Sequence, residues 1–145
     1  MTPQLISTGL PDIMMPVASL GELEKISPDF PALSDLSEKY EVVGVHAFTT
    51  DCGDATCHVR NFAPLYDIDE EAATGTSNGA LTYYGYLNGF ILPDDDCSFV
   101  QGEKMKRPSL ILSHIEVSGA GEDEEKCSVQ VGGSAVMLAE GDIKL

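Results

Sequence analysis

The chain has 145 residues, the length of one ordinary domain, so separate cofactor and substrate lobes would have to be unusually compressed. Hydrophobic residues make up 43% and charged residues 22%, close to the globular average, and a mean hydropathy of -0.02 argues against a membrane span or a wholly disordered chain. Twenty-four Asp and Glu against eight Lys and Arg give a net charge of -16, a field that repels nucleic-acid backbones and anionic membranes, so neither is expected as a partner.

The first nine residues lack the basic start and apolar run of a secretory signal, which makes a cytoplasmic protein the expectation. Residues 12–19 form a short apolar run broken by Pro16, expected as an edge or irregular strand. Ser19 with Glu22 three residues on has the spacing of a capping box for a helix over 19–25. Pro31 opens a second helix to Tyr40, with Leu33 and Leu36 on one face. Residues 41–50 and 56–63 read as two strands of a hairpin around the turn at 51–55.

Residues 74–89 are long enough for a four-turn helix and almost uncharged, which predicts a buried helix. Gly79 and Gly85 each cost such a helix about 1 kcal/mol, offset in this reading by close approach of surrounding backbone. Asn88-Gly89 ends it, and Asp94 to Asp96 mark a solvated loop. Strands are expected at 97–101, 109–117, 126–131 and 135–139, joined by the acidic loop 119–125 and the Gly132-Gly133 turn. The fold expected is α+β: a mixed, largely antiparallel sheet curled into a barrel around a central helix at about 75–89, in a single domain over 1–145.

Cys52, Cys57 and His58 lie close together, with Cys97 and Cys127 further along, but neither later cysteine belongs to a second short-spaced pair as structural zinc sites require. Four cysteines are also too few for a disulfide framework. Reduced thiols and no metal are the expectation. Chemistry concentrates between Arg60 and Ala80, where a carboxylate-rich loop with Asp67, Asp69, Glu70 and Glu71 leads into the small residues Thr74-Gly-Thr-Ser77. The first N–H groups of a helix have no internal partners and carry the positive end of its dipole, so this turn is a candidate anion cradle, with hydroxyls of Thr76 and Ser77 as added donors. Glu70 or Glu71, just upstream, would be placed to donate or relay a proton. The competing reading is that Thr74 or Thr76 caps a structural helix and the four acids are merely solvated.

The segment resembles the phenazine-biosynthesis PhzF-like family in Arg60-Asn-Phe-Ala-Pro64 and Glu70-Glu-Ala-Ala-Thr-Gly-Thr-Ser-Asn-Gly-Ala80. Further likeness runs through Ser7-Thr-Gly-Leu-Pro11, Gly102-Glu-Lys-Met-Lys-Arg-Pro-Ser109 and Val131-Gly-Gly-Ser-Ala-Val136, in order along the chain. The resemblance implies one lobe of the two-lobe diaminopimelate epimerase-like fold, the second, with the site between the helix N-termini of two lobes. It implies cofactor-independent acid–base proton transfer on a small carboxylic acid, with Glu71 at the family's active-site Asp, Thr76 at its helix-opening Ser, and Gly75 giving a backbone N–H to the substrate carboxylate. Ala72 stands where the family has Pro. Thr74 occupies the position of one of the paired cysteines of diaminopimelate epimerases, which disfavours two-thiol racemisation. The family's main catalytic glutamate belongs to the first lobe, so this chain is expected to be half a site, completed by a first-lobe chain or replaced by a homodimer partner. The alternative is a non-catalytic small-anion-binding or assembly module. Arg107 is a candidate for holding the anionic loop, against an ordinary ion pair; His46 and His114 read as satisfied strand residues, His58 stays unassigned, and Tyr83, Tyr84 and Tyr86 read as packing.

Overall fold

The computed structural model describes residues 1–51, 53–119 and 126–143. Cys52 and most of the acidic loop, residues 120–125, lie outside them. The elements run β1 (Gln4–Ser7), β2 (Pro11–Pro16), α1 (Leu20–Lys25), α2 (Phe30–Tyr40), β3 (Val45–Thr49), β4 (Cys57–Ala63), a 3-10 turn (Pro64–Tyr66), β5 (Ile68–Glu71), α3 (Gly75–Leu87), β6 (Asp96–Gln101), β7 (Ser109–Ser118) and β8 (Lys126–Gly132). The strands form one sheet in the order β1-β2-β3-β4-β6-β7-β8, with β5 also on β4. Two pairings, β2 with β3 and β4 with β6, are parallel and the rest antiparallel. The sheet curls around α3, which touches β1, β2, β7 and β8, so the expected sheet wrapped around a buried helix forms, as a half-barrel.

Side chains alternate across a strand with a period of two, and here each face of the central strands meets an apolar layer. On the inner face Met14, Phe48, Val59, Phe99, Ile111 and Ile115 close on Leu81 and Tyr84 of α3. On the outer face Ala47 and Phe62 close on Leu23 and on half-buried Leu20, Phe30 and Leu33 of α1 and α2. That double covering is why β3 and β4 are buried at every position instead of alternating. The caps of the outer helices are local: Ser19 Oγ accepts from Glu22 N, and Asp29 Oδ1 from Ala32 N. Glu22 spends its carboxylate on Lys25, so only half of the capping box forms.

The structure corrects five expectations. Residues 12–19 do not make an edge strand: β2 is internal, because Pro11 and Pro16 fall at its two ends. Its outer neighbour β1 is the edge, and was not expected. The carboxylate-rich loop contains a true strand, β5. Residues 135–139 form none, since a short apolar run makes no strand without an edge to pair with, and Val136, Met137 and Leu138 are 79%, 84% and 91% exposed. The glycines of α3 admit side chains, not backbone: a Cβ on Gly85 would lie 2.5 Å from Ile91 Cδ1, and one on Gly79 3.1 Å from Val131 Cγ2.

Candidate active site

The outer edge of β4 is shared. Its first half pairs with β6, from Cys57↔Phe99 to Val59↔Gln101, and its second half with β5, from Asn61↔Glu71 to Ala63↔Ile68. The C-terminal ends of β5 and β6 therefore meet side by side, and α3 starts four residues beyond Glu71. The two-residue period then sorts the acids of β5. Glu70 faces outward, where its carboxylate takes Nε and Nη2 of Arg60 at 2.8 Å each. The same guanidinium donates to the carbonyls of Leu23 and Ile26 at the end of α1, so Arg60 and Glu70 form a buried structural clamp. Glu71 faces inward, half-buried, and accepts from the Thr74 hydroxyl at 2.6 Å.

Thr74 is the N-cap of α3 in extended conformation, yet its side chain makes no capping hydrogen bond among the described residues. Thr74 thus holds the cap position without capping through its hydroxyl, which bonds to Glu71 instead. Gly75 and Thr76 are exposed at the open N-terminus, while Ser77 is 1% exposed and donates its hydroxyl to Asp12 Oδ2. Of the four proposed anion contacts, Gly75 and Thr76 face solvent, Thr74 touches Glu71, and the Ser77 side chain is committed to the interior. Below this turn runs a buried polar chain. Gln101 bonds to Glu71, Thr74 and Asn78, and Asn78 Oδ1 lies 3.4 Å from His46 Nε2. His46 Nδ1 sits 2.9 Å from Asn61 Oδ1. Complete burial pushes the His46 imidazole down to about 4, so it is neutral at neutral pH. Burial also pushes the Asp12 carboxyl up, against the opposing bond from Ser77. Sequence reasoning missed Asp12, Asn61, Asn78 and Gln101; the signal available was an acid or amide at an inward position of an apolar strand or helix.

The wall facing Glu71 is the 102–109 turn. Gly102, at φ +83°, lies so close to Ala72 that a Cβ would come within 2.8 Å of its carbonyl oxygen, so this glycine is required where the loop leaves β5. A cavity of about 570 Å³ opens here, lined by both Glu70 and Glu71 and by Ala73, Met105, Arg107 and Ser109; of the two acids only Glu70 is held in an ion pair among the described residues, with Arg60. An adjoining one of about 610 Å³ shares Ala73 and Ser109 and reaches Gly75. Arg107 is exposed in this wall and makes no ion pair among the described residues. His58 lies outward beside Glu103 at 2.6 Å and ties the turn to β4; His114 meets Asp96 at 2.9 Å. Tyr84 packs edge-on against Phe48 with its hydroxyl on Thr2 O, and Tyr83 stacks on Tyr86. Among the described residues no three His, Cys, Asp or Glu side chains come together as metal ligands, and no helix is long and apolar enough to cross a membrane.

The chain is 31% identical to an uncharacterized isomerase of Clostridium acetobutylicum, covering 98% of this chain and 47% of that protein. It is 29% identical to trans-2,3-dihydro-3-hydroxyanthranilate isomerase of Pseudomonas fluorescens, covering 99% and 45%. The chain thus spans about half the length of these relatives. Among solved structures, a PhzF-family phenazine biosynthesis protein of Bacillus anthracis superposes with a TM-score of 0.75 at 18% identity, over 92% of this chain and 46% of that one. A predicted epimerase of Pseudomonas aeruginosa superposes at 0.62 with 25% identity, over 95% and 46%. Fold, motif order and a family-model match over residues 1–141 agree, and the chain belongs to the phenazine biosynthesis-like (PhzC-PhzF) family of isomerases and their relatives.

Proposed function

We propose that this chain is the second lobe of a two-lobe isomerase that moves a proton on a small carboxylic acid by acid–base chemistry, without metal or organic cofactor. The observation that carries the reading is the pairing of one inward carboxylate, Glu71, with the uncapped N-terminus of α3. Gly75 and Thr76 offer backbone N–H groups to the substrate carboxylate, favoured there by the helix dipole. A base of the other lobe takes the proton from a substrate carbon, and Glu71 returns one elsewhere, so the product is an isomer and no redox partner is needed. Arg60 keeps Glu70 out of this chemistry, and Arg107 adds positive charge to the wall of a strongly acidic molecule. The Pseudomonas relative's substrate, trans-2,3-dihydro-3-hydroxyanthranilate, is a fitting first probe, being a small carboxylic acid.

A second reading has its own observation. Val136, Met137, Leu138 and Ile143 are 79–91% exposed, an apolar stretch that fits a protein interface, either with a first-lobe chain or with a second copy in a non-catalytic anion-binding module. Deuterium exchange into the probe in D2O separates the two. The isomerase reading expects exchange only with a separately expressed first lobe of the Clostridium relative, and loss of about 100-fold or more in Glu71→Gln without loss of stability. Exchange by the isolated chain sinks the half-site reading. A stable homodimer that exchanges nothing even with the added lobe supports the binding module.

A further inference from the structure

Gln101 is the last residue of β6 and is completely buried. A primary amide has two donors and two principal acceptor directions, and here all are used on one segment, residues 71–78. Nε2 donates to Glu71 O at 2.7 Å and to Thr74 Oγ1 at 3.0 Å. Oε1 accepts from Thr74 N at 3.1 Å and from Asn78 Nδ2 at 2.9 Å. Asn78 Nδ2 donates a second time, to Thr74 O at 2.8 Å. An amide serving only as a helix cap would occupy first-turn N–H groups of α3; this one leaves them open and holds the residues before them.

The consequence falls on Thr74. With a lone pair of its hydroxyl oxygen taken by Gln101, the hydroxyl proton is turned to Glu71 Oε2. We propose that Gln101 is a positioning residue, acting through Thr74 to hold the Glu71 carboxylate beside the open N-terminus of α3. The inference rests on the reading of Glu71 as the proton-transfer group. Only the meeting of β5 and β6 on one edge of β4 makes it possible, since Gln101 lies 30 residues from Glu71.

The test is carbon-detected NMR of the whole chain, reading the Glu71 side-chain carboxyl signal, which is assigned by its loss in Glu71→Gln. Gln101→Met keeps the volume and removes the amide; Thr74→Val keeps the shape and removes the hydroxyl. Each is expected to move the Glu71 signal, the double variant to move it no further than Thr74→Val, and Thr74→Ser to keep it in place. An unmoved signal in a Gln101→Met chain with native core methyl resonances overturns the proposal, as does a double variant whose shift is the sum of the two. If Gln101→Met does not fold, the Thr74 pair decides: equal signals in Thr74→Val and Thr74→Ser also overturn it. In the two-lobe exchange assay Gln101→Met should lose about 100-fold in kcat with little change in KM, the signature of a misplaced group. Full exchange by Glu71→Gln would remove the catalytic reading and leave the NMR result standing, so the two failures are distinguishable.

Discussion

The two halves of α3 are held in opposite ways. From its midpoint toward the C-terminus, Leu81 and Tyr84 are sealed against Phe48, Phe90 and Ile91, with ring centroids of Phe48 and Tyr84 5.3 Å apart. At the N-terminal end Ser77 and Asn78 meet Asp12, Thr74, Gln101 and His46 through polar atoms. Apolar contact is strong in sum and indifferent to angle, whereas a hydrogen bond fixes distance and direction. The apolar end keeps the helix in the sheet; the polar end decides where its free N–H groups and Glu71 point. A strained or open site is tolerable on this helix because its stability is supplied about two turns away.

The largest test of that division is Leu81→Ala at the apolar end. It should cost about 3 kcal/mol in urea unfolding, as for other fully buried leucines, with the polar end intact in the folded fraction. Acid should act on the polar end alone. The folded His46 titrates near 4, below its ordinary value of 6.5, so its contribution is fully present above pH 6.5 and fades as pH falls toward 4, by about 3 kcal/mol in all. Asp12, with its carboxyl pushed up, works in the opposite sense as pH falls. Urea midpoints at pH 7 and pH 4 in an Asp12→Asn background should therefore show the His46 loss undiluted, and no loss there would break the assignment of a neutral, buried imidazole. The smallest effect belongs to the exposed tail: Leu138→Ser should change the stability of the isolated chain by less than about 0.5 kcal/mol, which marks it as serving neither end of α3.

Much of this was legible in the order of residues. An uncharged stretch of small and apolar residues announced a buried helix, Asn88-Gly89 its end, and alternation most of the strands. Legibility failed where an element depends on a neighbour. The acids of β5 carry low strand propensity and looked solvated, but β4 offers them an edge; residues 135–139 are an apolar run with no strand to pair with among the described residues. The same limit applied to the glycines of α3, whose spacing foretold close packing but not that Ile91 and Val131 would fill it.

The candidate site divides along the same line. By itself the sequence determined that a carboxylate-rich stretch runs into a helix N-terminus built of small hydroxyl residues, because those features are local and hold whatever surrounds them. Read from local features alone it left Glu70 and Glu71 as rivals, and the family resemblance singled out Glu71. The register of β5 on β4 gives them different partners, Arg60 for Glu70 and Thr74 for Glu71. Likewise only the folded sheet brought Asp12 to Ser77, 65 residues away, and Gln101 to Asn78, 23 residues away. The physical reason is that propensity and periodicity act over a few residues, whereas the direction in which a buried polar group points is set by partners that the chain meets only once it has folded.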